Sequence, residues 1–178
     1  MLDLVNGRLI GRWDLLDDQV MLWAQYGVFL LLGVAGVRGL FELKTARRRG
    51  LLLVLAVVMA AAIAGGLVVL AGHFVTEGRP FAVDSDTIQL LPHGADNSFP
   101  SDHATLAGLV AVMASLAWAR WSWLFLLLGA LVGLSRVLAG LHYPGDVVAG
   151  WTIGGSSAVA AWLAVSRAGE RSWLANLR

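Results

Sequence analysis

Polar side chains suited to binding phosphate occur in three short segments of an otherwise apolar chain. These are residues 77–80, residues 97–103, and residues 135–136 together with 142–146. Each segment adjoins a long apolar run, where an arginine is costly unless it reaches water or serves a function. A guanidinium group can grip two phosphate oxygens through parallel, charge-assisted hydrogen bonds. Either Arg79 or Arg136 alone is better explained by snorkelling into lipid headgroups. Together they predict one phosphate site at a membrane edge.

The segment Pro100-Ser101-Asp102-His103 has the composition of a helix start. Ser101 or Asp102 can cap such a helix. The free backbone N–H groups of a helix N terminus bind anions, and the Ser101 hydroxyl would add a donor. Without the neighbouring arginines, an ordinary capped helix would be the preferred interpretation.

His142 and Asp146 have the spacing of a nucleophile and its orienting acid. Pro144 suits the first turn of a helix, which places Asp146 in that turn and within reach of His142. A carboxylate bonded to one ring nitrogen fixes the tautomer and leaves the other nitrogen free to attack. A lone histidine is more often structural. Here two of the four histidines, His103 and His142, lie in surroundings suited to phosphate.

The composition is that of a membrane protein. Of 178 residues, 58% are hydrophobic and 14% are charged, and the mean hydropathy is +0.72. Soluble domains carry about 25% charged residues. The length suits a single domain over residues 1–178. The absence of cysteine excludes disulfides, zinc–thiolate sites and a cysteine nucleophile. The net charge of +1 gives no indication of nucleic-acid binding, and the N terminus lacks the basic start of a signal peptide.

Five apolar segments predict an all-α, polytopic membrane bundle. They are residues 20–37, 51–71, 104–119, 121–134 and 147–165. Residues 1–18 predict an amphipathic helix at the membrane interface, anchored by Trp13, or a sixth helix; a disordered terminus is the alternative. Residues 72–102 are expected to form a polar outer loop.

Basic residues are sorted to one side of this arrangement. If the loop at residues 44–49 is cytoplasmic, nine of the thirteen basic residues lie inside. They are Arg38, Lys44, Arg47, Arg48, Arg49, Arg120, Arg167, Arg171 and Arg178. The three polar segments then all face outward.

Small residues recur at helical spacing within the apolar segments. Gly129 and Gly133 form one pair, and Gly150 and Gly154 form another. Such pairs let helices approach closely, although glycine is also generally common in membrane helices.

The chain resembles the type 2 phosphatidic acid phosphatase superfamily of integral membrane lipid phosphatases. That family has the motifs Lys-x6-Arg-Pro, Pro-Ser-x-His and Ser-Arg-x5-His-x3-Asp. The second is complete at residues 100–103 and the third at residues 135–146. The resemblance extends over residues 72–150. The family usually has six membrane helices, the first of which would correspond to residues 1–18.

The first motif is only partial. Arg79 and Pro80 are present, but Gly72 occupies the lysine position and His73 follows it. The resemblance implies that His73 partly replaces the lysine as a phosphate ligand, or that activity is low.

The family mechanism implies a role for each matching residue. His142 would attack phosphorus and form a phosphohistidine, and Asp146 would orient it. His103 would protonate the leaving oxygen and then activate water. The arginines would supply the positive charge, so neither a metal nor another cofactor is expected. The expected phosphate ligands and their neighbours are Arg79, Pro80, Ser101, Asp102 and Arg136.

The string at residues 98–104 resembles the bacterial branch that hydrolyses undecaprenyl diphosphate. This implies an enzyme in the bacterial plasma membrane, with a lipid diphosphate as its partner and its site facing outward. The alternatives are a phosphatidylglycerophosphate or phosphatidic acid phosphatase, and a phosphate or lipid transporter or non-catalytic binding relative. The sequence gives no oligomeric state.

A second phosphate would need donors beyond these ligands. The loop at residues 81–99 is expected to offer them through Gln89, His93 or Asn97. Its acidic residues Asp84, Asp86 and Asp96 are expected to repel a close anion.

Overall fold

The computed structural model of the chain describes residues 2–175, with side-chain surroundings for residues 6–168. Within this part the regular secondary structure is helical, apart from an isolated antiparallel bridge between Gly78 and Asn97. The prediction of an all-α fold is therefore confirmed. The helices are α1 (Leu2–Leu9), α2 (Asp14–Thr45), α3 (Arg47–Phe74), α4 (Pro80–Val83), α5 (Asp102–Ala117), a 3-10 turn (Ala119–Trp121), α6 (Ser122–Leu138) and α7 (Pro144–Ala175).

Four stretches within the described residues are long and apolar enough to cross a membrane. They are Asp14–Thr45, Arg47–Phe74, Ala119–Leu138 and Pro144–Ala168. Helix α5 corresponds to the remaining predicted span but has only 16 residues. At about 1.5 Å per residue it is roughly 24 Å long, shorter than the ~30 Å hydrocarbon layer. Ten of its residues are buried, so α5 is the central helix of the bundle.

The N-terminal region differs from the single helix predicted over residues 1–18. Helix α1 ends at Leu9, and residues from Asp14 onward already belong to α2. The chain turns at Gly11, which has a φ of +76°, and its N–H donates to the Asp17 carboxylate at 3.0 Å. Only glycine adopts this backbone region readily, so the helix breaks there. Trp13 is exposed.

Asn6 attaches α1 to the end of the bundle that carries the polar segments. Its buried side chain donates to the carbonyls of Ile88, at 3.0 Å, and Leu138, at 2.7 Å. The Ile88 N–H donates back to Asn6 Oδ1 at 2.9 Å. Beside it, Ile10 packs in a buried cluster with Val20 and Leu141. The N-terminal helix therefore supports the loop before α5 and the end of α6.

Glycines allow α7 to approach its neighbours closely. A Cβ added at Gly150 would lie 2.6 Å from the carbonyl oxygen of Ser101 on α5, and one at Gly154 would overlap the carbonyl of Thr105. On α6, a Cβ at Gly129 would lie 2.8 Å from the Trp151 ring. The close approach predicted from the glycine pairs is confirmed. It brings the N termini of α5 and α7 together.

The opposite end of the bundle carries the basic loop. There Glu42 is buried and pairs with Arg38 at 2.9 Å and Arg49 at 3.2 Å. Arg49 also donates to the carbonyl of Ala117, at the C-terminal end of α5. The polar segments and the loop at residues 44–49 therefore lie at opposite ends of the bundle, as the sorting of charge predicted.

Candidate active site

The three polar segments meet through direct hydrogen bonds. Arg79 Nη1 donates to the carbonyl of Leu141 at 3.1 Å, which joins the first segment to the third. The Ser101 N–H donates to the Asp146 carbonyl at 3.2 Å. The Ser98 hydroxyl donates to Asp146 Oδ2 at 2.5 Å. The three segments therefore lie together in space, as the sequence predicted.

His142 is held in one tautomer. Its side chain is 3% exposed. Its Nε2 atom lies 3.1 Å from Arg79 Nη1, and its Nδ1 atom lies 2.9 Å from the Ser98 carbonyl oxygen. Arginine has no acceptor, so Nε2 must accept and Nδ1 must carry the proton that it donates to Ser98. The lone pair of the expected nucleophile is therefore on Nε2, facing Arg79.

A glycine turn places His142 after α6. Gly140 has a φ of +72°, and a Cβ added there would lie 2.5 Å from the carbonyl oxygen of Ile88. Both its backbone conformation and the close approach of the outer loop require glycine. The turn brings His142 into contact with Ser98.

Asp146 is linked to His142 through Ser98, and not by the direct bond that the sequence predicted. Asp146 Oδ2 is 3.7 Å from His142 Nδ1, too far for a hydrogen bond. The same oxygen accepts from the Ser98 hydroxyl and from the Tyr143 N–H, at 2.8 Å. Asp146 Oδ1 is buried with no hydrogen-bond partner in the described part of the chain. Burial raises the pKa of nearby Glu77, and the Asp146 carboxylate raises it further.

Ser98 was not predicted as a site residue. Its carbonyl accepts from His142 Nδ1, and its hydroxyl donates to Asp146 Oδ2. The sequence gives a weak indication of the role of the hydroxyl, since Ser98 begins the Ser-Phe-Pro-Ser string. The sequence gives no indication of the role of the carbonyl, because every residue has a backbone carbonyl.

Arg79 binds Asp96 as well as His142. Its Nε donates to Asp96 Oδ1 at 2.6 Å, while Nη1 contacts Leu141 and His142. Nη2 has no hydrogen bond to any described residue. The bond from Arg79 lowers the pKa of the Asp96 carboxyl. The sequence predicts only that Asp96 repels an anion. In the structure, Asp96 instead binds Arg79, which is a predicted phosphate ligand.

Arg136 lies in the last turn of α6 and is almost fully buried. Its Nη1 donates to the carbonyl of Ala24 on α2 at 2.8 Å, and its Nε has no partner among the described residues. Burial lowers the pKa of His142; Asp146 opposes that shift, and the charges of Arg136 and Arg79 add to it. Arg136 is thus close enough to act on His142 electrostatically.

The start of α5 contributes three of the predicted site residues. Ser101 is the N-cap, and its hydroxyl oxygen accepts from the Ala104 N–H at 3.4 Å, so the predicted cap is confirmed. The Ser101 hydroxyl donates to no residue that the structure describes, which leaves its proton for a ligand. Asp102 is exposed, and His103 is half-buried.

The first-motif residues divide into two groups. Pro80 is buried and starts α4 directly after Arg79, so it fixes the backbone there. His73 is exposed in the last turn of α3, where its ring contacts Phe74 edge-on at 5.5 Å between centroids. Within the described part of the chain, His73 has no hydrogen bond to another candidate residue. The structure therefore gives no support to His73 as the replacement for the missing lysine.

Two of the three expected donors to a second phosphate are committed to backbone groups. Asn97 binds the carbonyl of Val75 at 2.9 Å and the N–H of Glu77 at 2.9 Å. Gln89 donates to the carbonyl of Leu91 at 2.8 Å. Asn97 therefore anchors the loop to the end of α3 instead of reaching a ligand.

Comparison with known proteins finds relatives that are named as undecaprenyl-diphosphatases and as a transport permease protein. The chain is 33% identical over 148 residues to the bacitracin transport permease protein BcrC of Bacillus licheniformis, which covers 83% of this chain and 71% of that protein. It is 35% identical over 112 residues to an undecaprenyl-diphosphatase of Sulfolobus acidocaldarius, covering 62% and 52%. It is 40% identical over 72 residues to undecaprenyl-diphosphatase BcrC of Bacillus subtilis, covering 40% and 37%. The last two alignments thus span about half or less of those relatives.

Two solved structures share the fold. Aquifex aeolicus LpxE superimposes with a TM-score of 0.67 and 24% identity, covering 90% of this chain and 91% of that chain. A PAP2-type phosphatidylglycerolphosphate phosphatase from Bacillus subtilis gives a TM-score of 0.59 and 22% identity, covering 96% and 85%. The family model of the PAP2 superfamily matches residues 49–170, which include every motif residue described above. The chain therefore belongs to the PAP2 superfamily.

Proposed function

We propose that this protein hydrolyses undecaprenyl diphosphate to undecaprenyl monophosphate and inorganic phosphate, and so returns a lipid carrier to cell-wall synthesis. The observation that supports it best is the state of His142. Its Nε2 lone pair is buried next to Arg79, while its Nδ1 proton is held by the Ser98 carbonyl. A neutral imidazole in this tautomer is ready to attack phosphorus.

In the first step, Nε2 of His142 bonds to the terminal phosphorus as the bond to the bridging oxygen breaks. His103 protonates that oxygen as undecaprenyl monophosphate leaves. The imidazole gains positive charge, which the Ser98 carbonyl and the nearby Asp146 carboxylate stabilise. Charge on the phosphoryl oxygens is met by donors from Arg79, Ser101 and Arg136.

In the second step, water attacks the phosphohistidine. His103, now neutral, takes a proton from that water, and the P–N bond breaks with its electrons returning to Nε2. Inorganic phosphate is released and both histidines regain their starting states. One histidine thus serves as acid and then as base.

The choice of a diphosphate rests on the relatives and on residues 98–104. Two of the relatives above are named undecaprenyl-diphosphatases, and one of these is a BcrC. One structural observation favours a lipid monophosphate as the second candidate: Asn97 and Gln89 bind backbone groups, so neither is free to hold a second phosphate.

We also propose five membrane spans, with α5 as the short fifth span, in a bacterial plasma membrane. The loop at residues 44–49 would be cytoplasmic because of its basic residues. The site at the opposite end would then face outward, where a spent diphosphate carrier is exposed.

Phosphate release from purified protein in detergent tests the activity. Undecaprenyl diphosphate, phosphatidic acid and phosphatidylglycerophosphate are compared in the same micelles, with EDTA present. We expect hydrolysis of each of these lipids that the site accommodates. We expect the diphosphate to be preferred by at least about tenfold, or ~1.4 kcal/mol in transition-state binding. A glycerolipid preferred by that margin would favour the second candidate. Absence of all turnover would favour a transporter or binding protein.

A further inference from the structure

In the ion pair between Arg79 and Asp96, the carboxylate binds the same guanidinium group that would bind phosphate. Arg79 is buried, with 7% of its side chain exposed, whereas 69% of the Asp96 side chain is exposed. The two join through Nε and Oδ1 at 2.6 Å. The buried Arg79 is therefore paired with a carboxylate at the surface of the protein.

The geometry leaves Arg79 no free fork. A guanidinium offers paired donors along two edges, Nε with Nη2 and Nη1 with Nη2. Asp96 occupies the first edge at Nε, and Leu141 with His142 occupies the second at Nη1. Nη2 alone remains unbonded among the described groups. A phosphate that binds Arg79 in bidentate fashion must therefore displace one of these partners.

Asp96 is the partner most easily displaced. The Leu141 carbonyl belongs to the turn that carries His142, and its neighbours are buried. The Asp96 carboxylate is solvated, and His93 Nδ1 lies 3.9 Å from it. The next residue, Asn97, is fixed by hydrogen bonds to the backbone of Val75 and Glu77. The Asp96 side chain can thus leave Arg79 without moving the segment that positions the nucleophile.

We propose that Asp96 is a built-in competitor of phosphate at Arg79. In the free enzyme its carboxylate takes the place of one phosphoryl oxygen. The substrate, anchored by its lipid chain as well, displaces it. After hydrolysis the carboxylate rebinds Arg79 and helps expel inorganic phosphate, so Asp96 limits product inhibition. This role rests on the proposed function, but its basis is the affinity of the site for phosphate.

Direct binding of inorganic phosphate to the full-length protein in detergent tests the proposal without turnover. Isothermal titration calorimetry is used at 0.15 M and 1 M NaCl. We expect Asp96→Asn to lower the Kd for phosphate about fivefold, near the upper limit for an exposed ion pair. The gain in affinity for phosphate should persist at 1 M NaCl, because salt screens a direct ion pair less than it screens long-range repulsion between charges.

Two controls separate competition from general charge effects. Asp86→Asn removes an exposed carboxylate from the same loop and should change the Kd less than twofold. Asp96→Glu keeps a carboxylate within reach of Arg79 and should resemble the wild type. In an Arg79→Gln background, Asp96→Asn should have no effect, since no ion pair remains to compete.

The same variants are assayed for inhibition of turnover by phosphate, where Asp96→Asn should lower the inhibition constant by the same factor. An unchanged or weaker affinity for phosphate in Asp96→Asn would overturn the proposal and assign Asp96 to holding Arg79 in place. An equal gain in Asp86→Asn would also overturn it. If turnover is absent but the binding result holds, the competitor role stands and the proposed function fails.

Discussion

The Nε2 atom of His142 lies 3.1 Å from Nη1 of Arg79, although the two residues are 63 positions apart in the sequence. This contact joins the proposed nucleophile to a proposed phosphate ligand. It fixes the tautomer of His142, because arginine can only donate. The surrounding network can be tested piece by piece.

Ser98→Ala separates the two roles of Ser98. The substitution removes the hydroxyl bond to Asp146 but keeps the carbonyl that binds His142 Nδ1. We expect kcat to fall about tenfold with KM nearly unchanged, because a hydrogen bond to a charged group contributes roughly 1.5–3 kcal/mol. Steady-state kinetics measure this. Ser156→Ala, at an exposed position on α7, is the matched control and should leave kcat unchanged. Wild-type kcat in Ser98→Ala would show that Asp146 does not act through this hydroxyl.

Gly150→Ala tests the close packing that positions the start of α5. The new Cβ would meet the Ser101 carbonyl oxygen at 2.6 Å and the Thr105 nitrogen at 3.0 Å, and backbone atoms cannot move aside locally. We expect a stability loss of about 1–3 kcal/mol and a fall in kcat/KM of more than about tenfold, since Ser101 and His103 move with α5. Thermal unfolding in detergent and kinetics measure the two effects.

Gly66→Ala is the control for that substitution. No atom outside its own helix lies within 4 Å of a Cβ at Gly66, so stability should be unchanged or slightly higher. If Gly150→Ala behaves like Gly66→Ala, the close approach of α5 and α7 does not matter for the site.

The pH profile of kcat/KM tests the environment of His142. Its pKa is lowered from 6.5, first by burial and also by Arg136 and Arg79. The nucleophile must be neutral, so activity should be lost only as pH falls through this lowered value. The acid limb of the profile is therefore expected below pH 6.5. Asp146 raises this pKa, so Asp146→Asn should move the limb further down. An upward movement would contradict the assignment of the limb to His142.

Cysteine labelling tests the orientation in the membrane. The chain has no cysteine, so single cysteines can be placed at the exposed positions Ser85, in the outer loop, and Ala46, in the basic loop. In intact cells, a membrane-impermeant maleimide should label Ser85→Cys and not Ala46→Cys. After permeabilisation both should react. The reverse pattern would place the site in the cytoplasm and exclude recycling at the outer leaflet.

Much of the fold could be predicted because apolar runs and sorted charge determine it. Segments without charge become helices, and the alternation of loops gathers the polar segments at one end. Composition could not show that α5 is the central helix, because burial by protein and burial by lipid select the same residues. The break at Gly11 depends on Asp17 accepting from a backbone N–H, which no local pattern indicates.

Residues of the site could be predicted where their side chains form a sequence motif. They could not be predicted where only the fold brings distant groups together. Arg79, Ser101, His142 and Asp146 meet as their spacing suggested. The Ser98 carbonyl has no sequence signature. The pairing of Asp96 with Arg79 could not be read from like charges in the loop, because it depends on the fold bringing them together. His73 follows the lysine position at Gly72 in the sequence, but adjacent residues on a helix face different directions.

Identification of the phosphorylated residue tests the central claim most directly. His103→Asn should slow the second step, because no base then activates water. This variant is incubated with undecaprenyl diphosphate labelled in the terminal phosphate, quenched at alkaline pH and mapped by mass spectrometry. We expect acid-labile phosphate on His142, and none in the double variant His103→Asn with His142→Ala. Phosphate on another residue, or wild-type turnover in His142→Ala, would contradict the account.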